Sequence, residues 1–117
     1  MKKLIVPLII ICFFSCDQKW DQKMLLGEWK VNQWSEKSSG RSITAQMDFT
    51  FTDEGNYVLD YGSKKEHGKY WVANDFLHTV EEGKSEKKVK IIALQQDTFV
   101  MEMNRSGSIE KVVLLRK

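Results

Sequence analysis

One segment of the chain alternates apolar and polar residues without interruption: Ile43-Thr44-Ala45-Gln46-Met47-Asp48-Phe49-Thr50-Phe51-Thr52. Its apolar members share one parity and its polar members the other, which is the period-2 pattern of a strand with one buried face. The next four residues, Asp53-Glu54-Gly55-Asn56, predict a tight turn, because glycine readily adopts the positive φ that such turns require. We therefore predict a β-strand over residues 43–52 that turns directly into its successor.

Similar short apolar segments, separated by turn signals, occupy most of the remaining chain. We predict seven further strands over residues 27–35, 57–62, 66–73, 76–80, 87–94, 98–103 and 109–116, with a short helical turn over 23–26. Every connection is too short for a helical crossover, so neighbouring strands must pair antiparallel. An open meander would expose two edges, and pairing the first strand with the last removes them. The prediction is an all-β, eight-stranded antiparallel up-and-down barrel.

Three places break the alternation. Ile91-Ile92 and the run from Val112 to Leu115 are apolar on both parities, which predicts a bulge or a second buried face. Trp34 is out of step with Trp29 in the same strand, so we predict that it lies off the inward parity, as do Trp20 and Trp71. If those three tryptophans converge they mark a protein contact, and if they scatter they are partly buried structural residues.

The first sixteen residues have the organisation of an export signal. A basic Met1-Lys2-Lys3 start, an apolar run and a small Ser15 describe a secretory signal peptide, and the run is shorter than the roughly 20 apolar residues of a membrane span. The Phe13-Phe14-Ser15-Cys16 ending resembles a bacterial lipobox, with Phe13 where leucine is usual. The resemblance implies diacylglycerol on the Cys16 sulfur and cleavage after Ser15. Ordinary secretion with an unmodified cysteine is the alternative.

This reading divides the chain into a signal peptide (1–15), a lipidated terminus and polar tether (16–22) and a barrel domain (23–117). The chain has two cysteines, Cys12 and Cys16, so the barrel itself would contain neither a disulfide nor a cysteine metal site. It has 18 Lys and Arg residues against 16 Asp and Glu, and loss of Lys2 and Lys3 with the signal peptide makes the two signs equal. No basic field then remains to attract nucleic acid.

Two ends of the predicted meander resemble a known family. Leu25-Leu26-Gly27-Glu28-Trp29 resembles the Gly-x-Trp signature that opens the first strand of lipocalins and related calycin barrels, and Leu114-Leu115-Arg116 resembles the arginine that packs on that tryptophan. The turns at 51–57 and 68–70 are similar to those of small bacterial lipocalin-like lipoproteins. The resemblance implies structural roles for Gly27, Trp29 and Arg116, with the indole plugging one end of the barrel.

The resemblance also implies a small hydrophobic or lipid-like ligand. The inward side chains are bulky, so the interior is expected to be either filled or a shallow apolar cup. If a cup exists, its candidate ligand-binding residues are Phe49, Tyr57, Tyr61, Tyr70 and Phe99, with tyrosine hydroxyls at the rim. A filled barrel would serve instead as a protein-interaction module or accessory subunit of the cell envelope.

Catalytic motifs are missing from the sequence. The two histidines, His67 and His78, have carboxylates nearby in the chain, but adjacent residues on a strand point to opposite faces. We identify no nucleophile elbow, no metal-ligand spacing and no phosphate-binding loop, and expect surface histidines. We therefore predict a protein that is not an enzyme and has no cofactor or metal. Its expected location is the bacterial envelope, lipid-anchored in the outer membrane, facing either the periplasm or the exterior.

Overall fold

The computed structural model describes residues 20–117, which form a 3-10 helix at Gln22–Leu25 followed by eight strands. The strands are β1 (Gly27–Glu36), β2 (Asp48–Phe51), β3 (Asn56–Asp60), β4 (Lys65–Ala73), β5 (Phe76–Glu81), β6 (Glu86–Leu94), β7 (Thr98–Arg105) and β8 (Ser108–Arg116). The predicted signal peptide, the predicted lipidation site Cys16 and residues 17–19 of the predicted tether lie outside the described residues.

The eight strands form a closed antiparallel barrel. Each strand pairs with its neighbour in the sequence, and β8 pairs with β1, placing Arg116 opposite Trp29. The predicted eight-stranded up-and-down barrel is confirmed. Because the helix and every strand of the ladder lie within residues 20–117, a chain of residues 17–117 contains the complete barrel.

Strand β2 is shorter than the alternating segment predicts. It begins at Asp48, and residues 43–47 run beside β1 with isolated hydrogen bonds, from Ile43 N to Trp34 O at 2.8 Å and from Val31 N to Met47 O at 3.1 Å. Ala45, predicted to point inward, is exposed. The alternation continues through this stretch, but the small Ala45 side chain buries little area and gives the strand no anchor on the barrel.

Two bulges explain two of the three places where the alternation fails. At the third, the run from Val112 to Leu115, the predicted bulge or second buried face is wrong, because β8 has no extra residue there, Val112 and Leu114 are buried and Leu115 is 40% exposed. The register of β1 against β8 shifts between Val31 and Gln33, and the extra residue turns Trp34 inward, where it is buried. The prediction that Trp34 lies off the inward parity is therefore wrong. The predicted irregularity at Ile91-Ile92 is confirmed, since β6 shifts register between Ile91 and Ala93 and leaves Ile92 exposed.

Trp29 and Arg116 occupy the closed end of the barrel. The Trp29 side chain is fully buried, donates from Nε1 to the Leu25 carbonyl at 2.8 Å and meets the Phe99 ring edge-on at 5.8 Å. The Arg116 guanidinium lies over the indole, with its central carbon 4.2 Å from the ring centroid. A Cβ at Gly27, whose φ is +112°, would come within 2.9 Å of Arg116 Nη1, so glycine gives the guanidinium its space.

Replacing Trp29 with alanine should destabilise the barrel by about 3–5 kcal/mol, because a fully buried indole leaves a cavity that the closed strands cannot fill. Urea unfolding of residues 17–117, followed by circular dichroism, measures the change. Trp71→Ala is the matched control, since Trp71 is 37% exposed and should cost about 1 kcal/mol or less. Equal effects of the two substitutions would contradict the assignment of Trp29 as the floor of the barrel.

Candidate functional site

The barrel interior holds a cavity of about 430 Å³ at the end opposite Trp29. It lies between the C-terminal ends of the odd-numbered strands and the N-terminal starts of the even-numbered ones. Most of its wall is apolar, formed by Trp34, Met47, Phe49, Leu59, Leu77, Val89, Met101 and Met103. Its polar lining consists of Tyr57, Tyr61, Glu66, Thr79, Lys87 and Arg105. The interior is thus filled only in its closed-end half.

Glu66 is the buried carboxylate of this cavity, with 7% of the residue exposed. Its Oε2 accepts a hydrogen bond from the Tyr57 hydroxyl at 2.5 Å, and its Oε1 accepts one from the Tyr61 hydroxyl at 3.1 Å. The Lys87 ammonium lies 3.7 Å from Oε2, with 58% of its side chain exposed. We call Tyr57, Tyr61 and Glu66 the acceptor cluster, because both hydroxyl donors are used internally and oxygen lone pairs remain.

A second buried carboxylate, Glu110, positions two residues of the cavity wall. Its Oε1 accepts hydrogen bonds from Trp34 Nε1 at 3.0 Å and from Arg105 Nη1 at 3.2 Å. The indole nitrogen of Trp34 is therefore satisfied although its ring is buried. Glu110 thus holds the Trp34 ring in the wall and the Arg105 side chain, which is 60% exposed, at the mouth.

The five predicted ligand-binding residues divide between two layers of the interior. Phe49, Tyr57 and Tyr61 line the cavity. Tyr70 lies instead in the closed-end layer, where its hydroxyl donates to the Thr52 carbonyl at 2.9 Å and its ring meets that of Phe51 at 4.8 Å. Phe99 packs against Trp29 in the same layer. Both residues point inward, but they lie too far along their strands toward the closed end to reach the cavity.

Sequence reasoning missed the two carboxylates, although the strand parity contains the signal for both. Glu66 shares its parity with Tyr70 and Val72 on β4, and Glu110 shares its parity with Val112 and Leu114 on β8, and all of these side chains are buried. Because charged residues are mostly exposed in proteins, both glutamates are assigned to the surface by default, and their shared parity with apolar residues is overlooked. An acidic residue on the apolar parity of a strand is the signal that could have found them.

The three tryptophans predicted to lie off the inward parity do not form one exposed patch. Trp34 faces the cavity, and Trp20 is partly buried against the core. Trp71 is exposed on the outer face, where its ring stacks on His78 at 5.1 Å, and His78 Nδ1 lies 2.6 Å from Glu86 Oε2. His67 is exposed, so Glu66 and His67 point to opposite faces of β4.

Within residues 20–117 no group of three or more His, Cys, Asp or Glu side chains is arranged to hold a metal ion. Over the same residues, no helix has both the length and the apolar character needed to cross a bilayer.

All three tyrosines of the chain are held in environments that favour the protonated phenol. Burial raises the pKa of Tyr57, and its hydrogen bond to Glu66 raises that pKa further. Burial, with the nearby Glu66 charge, raises the pKa of Tyr61 to about 12. Burial also raises the pKa of Tyr70, against the opposing effect of a hydrogen bond with Gln22.

The folded barrel should therefore show little tyrosinate absorbance near pH 10, where an ordinary tyrosine is half ionised. Below pH 10 the contribution of the phenols to the free energy of unfolding is fully present. This contribution is lost as the pH rises toward 12 and beyond, because the phenols of the unfolded chain ionise before those of the folded chain. Absorbance at about 295 nm measures the titration, with the protein in concentrated urea as the control. A native transition of full amplitude near pH 10 would contradict these environments.

Comparison with known proteins gives a matching family and several similar solved structures. Two crystal structures share the fold with a TM-score of 0.62: a lipocalin-like protein from Bacteroides uniformis (15% identity) and an uncharacterized protein from Bacteroides eggerthii (13% identity). Each alignment covers 80% of this chain and 99% of the other, and at such identities the likeness shows the fold alone. No curated protein matches the sequence. The sequence model of the lipocalin-like domain family matches residues 25–101, which is more than half of the chain. The protein therefore belongs to this lipocalin-like family.

Proposed function

We propose that the barrel binds one small, mostly apolar molecule in its cavity, and that lipid on Cys16 anchors it in the bacterial envelope, at the outer membrane. The observation that carries the binding proposal is the cavity itself. Its volume of about 430 Å³ falls within the roughly 300–1,000 Å³ typical of small-molecule sites, and its wall is mostly apolar with a few convergent polar groups. Lipocalin-like proteins generally bind ligands rather than catalyse reactions.

The position of the described N-terminus supports an anchored barrel with an accessible cavity. The Gln22 Oε1 accepts a hydrogen bond from Val72 N at 3.0 Å, so the chain reaches the barrel near the end of β4, on the closed side. Trp20 packs against the core four residues after Cys16. An anchor at Cys16 would therefore tie the closed end to the bilayer and leave the mouth toward the aqueous side.

The alternative function, a solid barrel that acts as a protein-interaction module, has less support. It requires either a filled interior or a shared aromatic patch on the surface. The cavity argues against the first, and the burial of Trp34 inside the barrel argues against a patch of three tryptophans.

Filling the cavity should abolish binding of an apolar molecule without unfolding the barrel. Residues 17–117 should bind the neutral dye N-phenyl-1-naphthylamine with enhanced fluorescence, and Val89→Phe should weaken binding at least tenfold, because Val89 lines the cavity. Ile92→Phe is the matched control on the same strand, since Ile92 points outward and is 39% exposed. A dye that binds both variants as tightly as the parent would exclude the cavity as its site.

The proposed lipid anchor on Cys16 is tested separately, with the full-length chain expressed in a bacterial host. The mature protein should start at Cys16, carry the added mass of acyl chains and partition into the detergent phase. Cys16→Ser should carry no lipid mass, because serine lacks the sulfur that accepts diacylglycerol. Intact-mass spectrometry of the membrane fraction measures this, and an unmodified mature protein in the aqueous phase would refute the lipid anchor.

A further inference from the structure

We propose that the cavity selects an apolar molecule carrying a hydrogen-bond donor, such as a primary amine or a hydroxyl, and discriminates against the matching carboxylate. The inference rests on the proposed ligand-binding function and names the chemical class of ligand. It follows from the direction of the hydrogen bonds around Glu66.

The donors of the acceptor cluster are already used within the protein. The Tyr57 and Tyr61 hydroxyls both donate to the Glu66 carboxylate. A hydroxyl has one hydrogen to donate and two lone pairs, and a carboxylate has lone pairs only. What these groups still offer to the cavity is therefore hydrogen-bond acceptors.

The Glu66 carboxylate has capacity left for a ligand. Two carboxylate oxygens offer about four acceptor positions, and the two phenols occupy one on each oxygen. The Lys87 ammonium, 3.7 Å away, is beyond the usual hydrogen-bond distance. A ligand hydroxyl or ammonium can therefore donate to the cluster, whereas a ligand carboxylate would bring a second negative charge and no donor.

The two cations at the mouth do not reverse this preference. Lys87 and Arg105 each lie beside a buried carboxylate, Glu66 at 3.7 Å and Glu110 at 3.2 Å. Their side chains are 58% and 60% exposed, so solvent and salt screen their attraction for an anion. The buried Glu66 acts where water is scarce, and its field on a bound ligand is correspondingly stronger.

A series of four octyl compounds tests the proposal with residues 17–117 at pH 7. Octylamine, octanol, octanoate and octyltrimethylammonium share one chain and differ in the head group, and each is titrated calorimetrically and by displacement of N-phenyl-1-naphthylamine. We expect octylamine to bind at least tenfold more tightly than octanoate, with octanol between them. Octyltrimethylammonium has the charge but no N–H, and should bind several-fold more weakly than octylamine.

The Glu66→Gln variant assigns the preference to this carboxylate. Its amide keeps the size of the side chain, removes the charge and adds an N–H donor, so the ratio of amine to carboxylate affinity should fall to about one. Glu86→Gln is the matched control, because Glu86 lies on the outer face beside His78 and should leave the ratio unchanged. If Glu66→Gln fails to fold, the octyl series on the parent protein still decides the proposal.

The outcomes separate the two proposals. Octanoate binding as tightly as octylamine, or octyltrimethylammonium binding as tightly as octylamine, overturns the donor preference while ligand binding stands. If neither N-phenyl-1-naphthylamine nor any octyl compound binds residues 17–117, both the donor preference and the proposed binding function are refuted.

Discussion

The Arg116 side chain holds the closed end of the barrel together, because this one group joins the last strand to three other parts of the structure. Its guanidinium covers the Trp29 ring on β1 and donates to the carbonyls of Met24, Leu26 and Gln96, which lie before β1 and between β6 and β7. Arginine suits this position because its planar group stacks on an indole and presents several donors at once. The contact with the ring alone is worth about 0.5–2 kcal/mol.

The contacts of Arg116 and Trp29 close only one end of the barrel, and the interior at the other end remains open. The largest fully buried side chains, led by Trp29, Tyr57, Phe51 and Phe99, lie mostly around the closed end. Along β4 the inward positions run from Glu66 in the cavity, through Gly68, to Tyr70 in the filled layer. A Cβ at Gly68 would overlap the Val80 carbonyl oxygen, so the missing side chain lets β5 approach closely. The cavity begins beyond the layer that contains Trp29, Phe99 and Tyr70.

The sequence predicts the strands and the closure well because both depend on local patterns and on the shortness of the turns. It predicts the positions of individual side chains less well. One extra residue in β1 reverses the direction of Trp34, and the break in parity between Trp29 and Trp34 does not by itself distinguish a bulge from an outward-pointing indole. The start of β2 fails for a different reason, since Ala45 has the right parity but too little surface to bury. Parity tells which side chains point inward. The existence of the cavity depends on how much of the interior volume those side chains fill at each level of the barrel, which parity alone does not describe.

The buried carboxylate and the proposed anchor together lead to one picture of how a ligand would enter. A charge such as that of Glu66 is costly to bury unless hydrogen bonds compensate it, and the two tyrosines supply them at the mouth end of the interior. The closed end is instead filled by Trp29 and covered by Arg116. With a lipid anchor at Cys16, a ligand would arrive from the aqueous side and meet the polar mouth before the apolar wall. A molecule soluble enough to cross water, with a donor group beside its apolar part, fits that route better than a purely hydrocarbon lipid does.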